Sequence, residues 1–225
     1  METSPVVSIL IPCYNSEEYV SEAIESALAQ DYGPTEIIVV DDGSTDGSRE
    51  EVREYSDRVG LLENEENRGE AYTCNRAIQE ASGELVKILH ADDMLCPGVI
   101  EEQVTQVQEM GPDTIAFGDA KFITSDGSFH HRDEYRSKRG NETSAHHLLT
   151  NNPHPSCPLH RRSLLLEHEG FDTSVPMPDY DFQLRLGLAG VRFHYISGDV
   201  STIRIHDGPD RVQNQNHFVQ DPEGR

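Results

Sequence analysis

Two pairs of adjacent aspartates, each placed shortly after an apolar segment, are the residues of this chain best suited to chemistry. Asp41 and Asp42 follow residues 36–40, and Asp92 and Asp93 follow residues 84–89 after His90-Ala91. In an open α/β sheet, ligands bind at the carboxyl ends of the strands. Carboxylates delivered there by two strands predict a site for a divalent metal ion and a polar, phosphate-bearing ligand.

The segment after the first predicted strand lacks the glycines of a dinucleotide-binding loop. Pro12-Cys13-Tyr14-Asn15 stands in that place, and neither GxGxxG nor a Walker loop occurs in the chain, so nicotinamide and flavin cofactors are not predicted. Tyr14 can instead stack on a nucleobase beside Pro12, and Asp42 can accept the ring N–H of uracil, thymine or guanine. The alternative is that Tyr14 packs on the following helix and Asp42 caps the next one through Ser44-Thr45.

Asp92 and Asp93 are hard oxygen donors, which suit Mg²⁺ or Mn²⁺. These ions commonly share their coordination between one or two carboxylates and substrate phosphates, and such a metal also neutralises a diphosphate leaving group. From spacing alone, an Asp cap on the helix near Pro97 stays open as the alternative.

The elements that must position these residues alternate between strand and helix in the first half of the chain, which is typical of an α/β domain with a parallel sheet. Gly83 is predicted as the C-cap of the helix over 70–81. Strands are predicted at 6–11, 36–40, 61–62, 84–89, 114–120, 121–124, 191–195 and 200–205, and helices at about 16–28, 46–56, 70–81, 97–110, 144–149, 162–168 and 179–188.

Composition excludes several classes of protein. The chain has 225 residues and a formal net charge of −23, from 41 acidic and 18 basic residues, so no basic stripe is available for nucleic acid. No segment approaches the roughly 18–20 apolar residues that span a bilayer, and the first residues are no signal peptide, so we expect a cytoplasmic protein. Cys13, Cys74, Cys96 and Cys157 form no CxxC pair and are predicted to be reduced thiols.

An acidic chain with only three lysines is typical of a protein that works in concentrated salt, where ions screen repulsion between carboxylates. We expect its melting temperature to rise as KCl increases from about 0.1 M to about 2 M, because the Debye length then falls below the spacing of surface charges. Scanning fluorimetry across this range tests the expectation. A melting temperature that stays constant or falls would contradict it.

The chain resembles glycosyltransferase family 2, the inverting nucleotide-sugar transferases of the GT-A fold. The resemblance runs from Val6 to about His206 and rests on motifs in a fixed order. These motifs are Val-Ser-Ile-Leu-Ile-Pro-Cys-Tyr-Asn (7–15), Ile-Ile-Val-Val-Asp-Asp-Gly-Ser-Thr-Asp (37–46), Asn-Arg-Gly (67–69) with Asn75, Ser-Gly-Glu (82–84), Ala-Asp-Asp (91–93), Arg-Arg-Ser (161–163), Gly-Phe-Asp (170–172), Pro-Asp-Tyr-Asp (178–181) and Arg-Ile-His (204–206).

The resemblance implies roles for the matching positions. Asp92 lies near the ribose and diphosphate, Asp93 and His206 are assigned to the Mn²⁺ or Mg²⁺ ion, and Asp179 is the catalytic base that deprotonates the acceptor hydroxyl. The nucleoside pocket is lined by Pro12, Tyr14 and Asp42.

Two positions depart from the family pattern. His90 stands where members often have a further aspartate, so we expect the metal site to survive with altered affinity. Met177-Pro178 precedes Asp179 where a glutamate is common, which leaves Asp181 as a competing base, although on a helix it points away from Asp179.

The family also implies an organisation and partners. A single GT-A domain, with a Rossmann-like, mainly parallel mixed sheet flanked by helices, divides into a nucleotide-binding half (about 1–118), an acceptor-binding half (about 119–210) and a loose tail (211–225). The donor is a nucleotide-diphospho-sugar, with UDP preferred over GDP or dTDP. The acceptor is a glycan, lipid-linked or small-molecule hydroxyl in polysaccharide, glycolipid or cell-envelope synthesis, with room for peripheral membrane association.

Two rival functions stay open. A non-catalytic nucleotide-sugar binding module would bind the donor in the same pocket but would not use Asp179 as a catalytic base. A sugar nucleotidyltransferase shares the architecture but needs a phosphate loop rich in glycine and basic residues near its N-terminus, which this chain lacks. The histidines of the second half are predicted to be solvated or acceptor-facing loop residues rather than a second metal site; they are His130, His131, His146, His147 and His154.

Overall fold

The first half of the chain builds the parallel part of a mixed sheet. In a computed structural model that describes residues 4–133, 142–143 and 156–206, β1 (Val7–Cys13) lies between β2 (Thr35–Asp41) and β4 (Leu85–Ile88), with β3 (Gly60–Glu63) beyond β2. All three pairings are parallel. The carboxyl ends of these strands therefore lie at one edge of the sheet.

The second half extends the same sheet with mixed pairings. β9 (Ser156–Arg161) runs antiparallel between β4 and β6 (Thr114–Thr124), and β6 pairs in parallel with β10 (Arg192–Ile205). The two strands predicted over 114–124 are one, and those predicted over 191–205 are one strand with register shifts between Tyr195 and Ser201. The sequence prediction missed β9, and it missed three short strands: β5 (Met94–Leu95), β7 (Phe129–Asp133) and β8 (Glu142–Thr143).

Helices cover both faces of the sheet. Along β1, Ile9 and Ile11 face the cluster that includes α1 and α4, whereas Leu10 faces the cluster that includes α3, α5 and α6. A strand buried on both faces is apolar without alternation, as the sequence of β1 is. The helices are α1 (Val20–Leu28), α2 (Ser48–Arg53), α3 (Glu70–Glu80), α4 (Val99–Met110), α5 (Arg162–Glu167) and α6 (Pro178–Leu188).

Several predicted helix ends differ from the structure. α1 begins at Val20 and not near residue 16, and α2 spans Ser48–Arg53 rather than 46–56. α4 begins at Val99, after Gly98 in a left-handed conformation, and not at Pro97. α3 ends at Glu80 with an extended Ala81, so Gly83 is not its C-cap; a side chain at Gly83 would overlap Ser8 of β1. The predicted helix at 144–149, the tail at 211–225 and the predicted loop residues His146, His147 and His154 lie outside the described residues. The other two predicted loop residues, His130 and His131, are exposed but lie in β7. Among the described helices, none combines the length and apolar character needed to cross a membrane.

A fully buried lysine, Lys87, interrupts the apolar pattern of β4. Its ammonium donates to Gln103 Oε1 at 2.5 Å and to the carbonyl of Cys157. The Gln103 amide in turn donates to the carbonyls of Ala116 and Cys157. Burial lowers the pKa of Lys87, while the contacts with Cys157 oppose that shift. Lys87 and Gln103 thus supply hydrogen bonds to backbone carbonyls at the point where the pairing of β6 with β9 shifts register.

His160 of β9 is 3% exposed, and within the described residues neither ring nitrogen has a hydrogen-bond partner. Burial, helped by the charge of Lys87, lowers the pKa of His160 from 6.5 to about 3. Below pH 6.5 the unfolded chain takes up a proton that the folded chain does not, so stability is lost as pH falls from about 6.5 towards about 3.

We therefore expect the wild type to lose up to about 1.4 kcal/mol more per pH unit than His160→Leu, which cannot titrate at this position. Urea unfolding of both proteins from about pH 7 to about pH 5 measures the difference, and acidic groups common to both cancel. Equal slopes would show that His160 is protonated in the folded state or that the site opens to water.

Candidate functional site

The structure brings the two aspartate pairs to one edge of the sheet. Pro12 of β1 aligns with Val40 of β2, and the chain leaves β2 through Asp41 into Asp42. On the other side of β1, β4 ends at Ile88, and the next residue, Leu89, donates its N–H to the Leu10 carbonyl at 2.9 Å before the chain turns through Asp92 and Asp93. The two pairs therefore follow the two strands that flank β1.

Asp42 is 3% exposed and holds the loop before α3. Its carboxylate accepts hydrogen bonds from Asn64 Nδ2 (2.6 Å), Arg68 N (2.9 Å) and Gly69 N (2.8 Å). Gly69 has a φ of 88°, which favours glycine at this turn. It is Asp41 that bonds to the following loop, accepting from Ser44 N at 3.1 Å. The capping alternative for Asp42 is therefore wrong.

Pro12 and Tyr14 differ in exposure although they are two residues apart. Pro12 is buried within β1, whereas Tyr14 is 45% exposed. The next residue, Asn15, ties this loop to the one after β2, because its N–H donates to Ser44 and its side-chain oxygen accepts from Thr45 N at 2.9 Å. The exposed ring of Tyr14 thus lies beside two loops, those after β1 and β2, that are hydrogen-bonded to each other.

Asp92 and His206 are in direct contact, with 2.7 Å between Asp92 Oδ2 and His206 Nε2. Asp93, 5% exposed, accepts a hydrogen bond from the Arg204 N–H at 2.9 Å. Burial raises the pKa of Asp93, and its contact with His90 works in the opposite direction. Within the described ranges, no three His, Cys, Asp or Glu side chains form a preformed metal cage.

His90 lies between two carboxylates, with Nε2 2.9 Å from Glu70 and Nδ1 3.5 Å from Asp93. Desolvation works to lower the pKa of His90, but Glu70 and Asp93 outweigh it and hold the pKa well above 6.5. The side chain is 46% exposed. An imidazole in contact with two carboxylates thus stands at the position where family members often have an aspartate.

Asp179 is the second residue of α6 and is half-buried. α3 connects this helix to Asp42, because Asp42 accepts from Gly69 N at the start of α3 and Asn75 of α3 donates to the Phe171 carbonyl in the turn before α6. Burial raises the pKa of the Cys74 thiol on α3, as do the charges of Glu70, Asp179 and Asp42, whereas His90 lowers it. The first turns of α3 therefore run between the Asp42 pocket and the start of α6.

Asp181 is engaged elsewhere. Its Oδ2 pairs with Arg185 Nε at 2.7 Å, one helical turn further along α6. The same guanidinium donates to the carbonyls of His168 and Gly170, each at 2.6 Å. Asp181 thus helps to fix the turn that precedes α6.

The family model "Glycosyl transferase family 2" matches residues 8–168, about 70% of the chain. The chain belongs to glycosyltransferase family 2. This confirms the resemblance predicted from the ordered motifs.

Relatives of this family 2 chain include bacterial glycosyltransferases. Glycosyltransferase GlyG of Streptococcus pneumoniae is 37% identical over 130 residues, 56% of this chain and 43% of that protein. An uncharacterized glycosyltransferase of Rickettsia typhi, RT0329, is 34% identical over 210 residues, 91% of this chain and 65% of that protein. The Escherichia coli UDP-Glc:alpha-D-GlcNAc-diphosphoundecaprenol beta-1,3-glucosyltransferase WfgD is 40% identical over 103 residues, 45% and 41% of the two chains. This chain therefore spans less than two thirds of the length of each relative.

Solved structures show that the family 2 chain has the GT-A fold. S. aureus TarS 1-349 in complex with UDP-GlcNAc superimposes with a TM-score of 0.76 at 22% identity, over 95% of this chain and 61% of that one. The mannosyltransferase PcManGT from Pyrobaculum calidifontis, in complex with GDP-Man and Mn²⁺, gives 0.69 at 24% identity, over 89% and 57%.

Asn75 joins α3 of the family 2 domain to the Gly-Phe-Asp turn, a contact that sequence reasoning did not assign. Its Nδ2 donates to the Phe171 carbonyl at 2.7 Å, and its Oδ1 accepts from the Phe171 N–H at 2.9 Å. The motif carried Asn75 as a match, but its partner lies 96 positions away, and no local pattern reveals such a pair. Asn64, which is 7% exposed and bonds to Asp42, gave no sequence signal at all.

Gly170→Ala should destabilise the protein by about 3 kcal/mol or more. Gly170 has a φ of 62°, and an added Cβ would overlap Asn75 Oδ1, so the substitution strains the backbone and displaces the Asn75 clamp. Gly98→Ala is the matched control, because Gly98 has a φ of 73° but nothing within 4 Å of the added Cβ. The control should lose only about 1–2 kcal/mol in urea unfolding. Equal losses would contradict the role of the clamp.

Proposed function

We propose that this chain is a metal-dependent inverting glycosyltransferase that moves a sugar from a nucleotide-diphospho-sugar to an acceptor hydroxyl. The observation that carries the proposal is the contact of Asp92 with His206 beside Asp93, at the strand edge that also carries Asp42. Carboxylate and imidazole groups that can ligate a metal lie there on the same edge as Asp42, whose buried carboxylate accepts hydrogen bonds from N–H groups. Family membership supports the reaction class.

The nucleoside would stack on Tyr14 and donate a ring N–H to Asp42. A carboxylate has about four acceptor sites, and Asp42 uses three of them on Asn64, Arg68 and Gly69. The remaining site suits the N–H of uracil, thymine or guanine. The names of TarS bound to UDP-GlcNAc and of WfgD support UDP as the first choice, and PcManGT with GDP-Man keeps GDP as an alternative beside dTDP.

The donor set fits Mn²⁺ or Mg²⁺. Asp93 and His206 would hold the ion, with Asp92 beside the ribose and diphosphate, and these oxygen and imidazole donors suit Mn²⁺ in particular. The bound ion would neutralise charge on the diphosphate leaving group. The Mn²⁺ in the PcManGT complex supports this choice for the chain.

Asp179 would act as the general base. As the acceptor oxygen attacks the anomeric carbon, Asp179 takes up the hydroxyl proton and the bond from that carbon to the diphosphate oxygen breaks, which releases the nucleoside diphosphate. One displacement of this kind inverts the anomeric configuration. The family motif matches Asp179 to the base, and the competitor Asp181 pairs with Arg185 one helical turn further along α6.

The acceptor would be a glycan, lipid-linked or small-molecule hydroxyl in polysaccharide, glycolipid or cell-envelope synthesis. WfgD is named for a diphosphoundecaprenol-linked acceptor, which supports this class. Of the two rival functions, the nucleotidyltransferase is disfavoured by the family match, and a non-catalytic binding module is separated from the enzyme by the Asp179 experiment described below.

A thermal-shift screen tests the proposal with UDP, GDP and dTDP, each with and without Mn²⁺. We expect UDP with Mn²⁺ to raise the melting temperature by about 3 °C or more at about a hundredfold excess over Kd, and EDTA to reverse the rise. Mn²⁺ alone is the control for ion effects on this acidic chain. If none of the three nucleotides gives metal-dependent stabilisation, the proposal is wrong.

A further inference from the structure

We infer that Arg204 is a positioning residue that sets the affinity of the site for a divalent metal bound with the donor diphosphate. The inference rests on the proposed function and adds a residue to which the sequence had given no role beyond a motif match. Arg204 lies near the end of β10, two residues before His206, and is 3% exposed.

Arg204 makes four polar contacts with three parts of the chain. Its backbone N–H donates to Asp93 Oδ1 at 2.9 Å, and its Nε donates to the Asp92 carbonyl at 3.3 Å. One terminal nitrogen donates to the Ser125 carbonyl at 3.1 Å, and the other pairs with Glu22 of α1 at 2.6 Å. A single residue therefore links the aspartate turn to α1 and to the turn after β6.

The same guanidinium reaches His206 through an aromatic ring. Its central carbon lies 4.5 Å from the ring centroid of Tyr19, and the Tyr19 ring lies 5.3 Å from that of His206. His206 in turn contacts Asp92, whose carbonyl accepts from Arg204. Arg204, Asp92, His206 and Tyr19 thus form a closed ring of contacts. Displacement of the guanidinium would therefore shift Asp92 and His206, which the proposed function places beside the diphosphate and at the metal ion.

The negative charge of Glu22 also affects the metal site, through its ion pair with Arg204. A buried guanidinium beside a metal site repels a divalent cation, and the repulsion is strong where water is excluded. Glu22 offsets that charge at 2.6 Å while its own side chain stays 54% exposed. Removal of the Glu22 charge should therefore weaken metal binding even though Glu22 touches neither Asp93 nor His206 in the contacts described above.

The experiment measures Mn²⁺ binding directly, by loss of the free-ion electron paramagnetic resonance signal during titration of the enzyme saturated with UDP. Arg204→Lys keeps the charge but lacks the planar fork that serves three acceptors at once, so we expect Kd for Mn²⁺ to rise about tenfold. Glu22→Gln, a milder change on an exposed side chain, should raise Kd about threefold. The readout requires neither turnover nor a known acceptor.

A second ion pair, also between a largely buried arginine and an exposed glutamate, provides the control. Arg161 pairs with Glu84 at 2.6 Å, with side chains 17% and 59% exposed, at the amino end of β4, opposite the end from which the chain reaches Asp92. Arg161→Lys and Glu84→Gln should leave Kd for Mn²⁺ within about twofold of the wild type. Urea unfolding of all four variants reports their losses of stability separately.

The outcomes separate the inference from the proposed function. If the wild type with UDP binds Mn²⁺ but Arg204→Lys and Glu22→Gln bind it equally well, Arg204 is structural only and the inference is wrong, while the proposed function stands. If Arg204→Lys does not fold, the Glu22→Gln result decides in the same way. If the wild type binds no Mn²⁺ with UDP, GDP or dTDP, both the inference and the proposed function are wrong.

Discussion

Replacement of Asp179 by asparagine should lower the rate of sugar transfer by about a thousandfold, while Mn²⁺-dependent UDP binding stays within about twofold. The amide keeps the shape of the side chain but cannot accept the hydroxyl proton. Release of UDP from UDP-glucose or UDP-GlcNAc gives the rate without a known acceptor, because water can take the place of the acceptor hydroxyl.

Asp181→Asn is the matched control for that experiment, because it changes the same side chain two residues along α6. It removes the ion pair with Arg185, a loss of at most about 1 kcal/mol of stability for a partly exposed pair. Its transfer rate should fall by less than about tenfold. A larger loss in Asp181→Asn than in Asp179→Asn would assign the base to Asp181. An unchanged rate in both would favour the non-catalytic binding module.

Asp93→Asn should weaken Mn²⁺ binding in the UDP complex by about a hundredfold and abolish the metal-dependent rise in melting temperature. The substitution removes a charged oxygen donor but leaves an oxygen that can accept from the Arg204 N–H, so the turn is retained. Titration by calorimetry with UDP present measures the effect.

Asp119→Asn is the control for burial of a carboxylate. Asp119 is 5% exposed, as is Asp93, and accepts a hydrogen bond from the Tyr195 hydroxyl at 2.9 Å on the β6–β10 side of the sheet. It should lose stability without losing Mn²⁺ affinity. Equal loss of Mn²⁺ affinity in both variants would show that Asp93 acts through stability alone and is no metal ligand.

Much of the fold could be predicted because its signals are local. β1 is almost entirely apolar, β2 contains an apolar segment that ends in Asp41, and α3 carries its apolar residues at helical spacing. β9 was missed because its sequence, Ser-Cys-Pro-Leu-His-Arg, has neither alternation nor a long apolar segment. What makes it a strand is pairing with β4 and β6, which are distant in sequence.

The site divides in the same way between local and distant signals. Asp42, Asp92 and Asp93 could be proposed from the sequence because each follows a recognisable strand. The different roles of Asp41 and Asp42 could not be predicted, because both carboxylates are buried and only their partners distinguish them. Asp41 binds Arg49, whereas Asp42 binds the loop before α3. The buried hydrogen bonds of Lys87 could not be predicted either, because its partner Gln103 lies on α4.

The way in which Asp42 is held has a consequence for how this pocket tolerates mutation. Two of its three hydrogen bonds come from the backbone N–H groups of residues 68 and 69, and every amino acid except proline supplies such a group. The exposed side chain of Arg68 lies over Tyr72, at 4.4 Å from the ring centroid, and takes no part in those bonds. Position 68 can therefore drift in evolution, or be randomised in a library, while the carboxylate keeps its place, whereas the left-handed Gly69 beside it cannot.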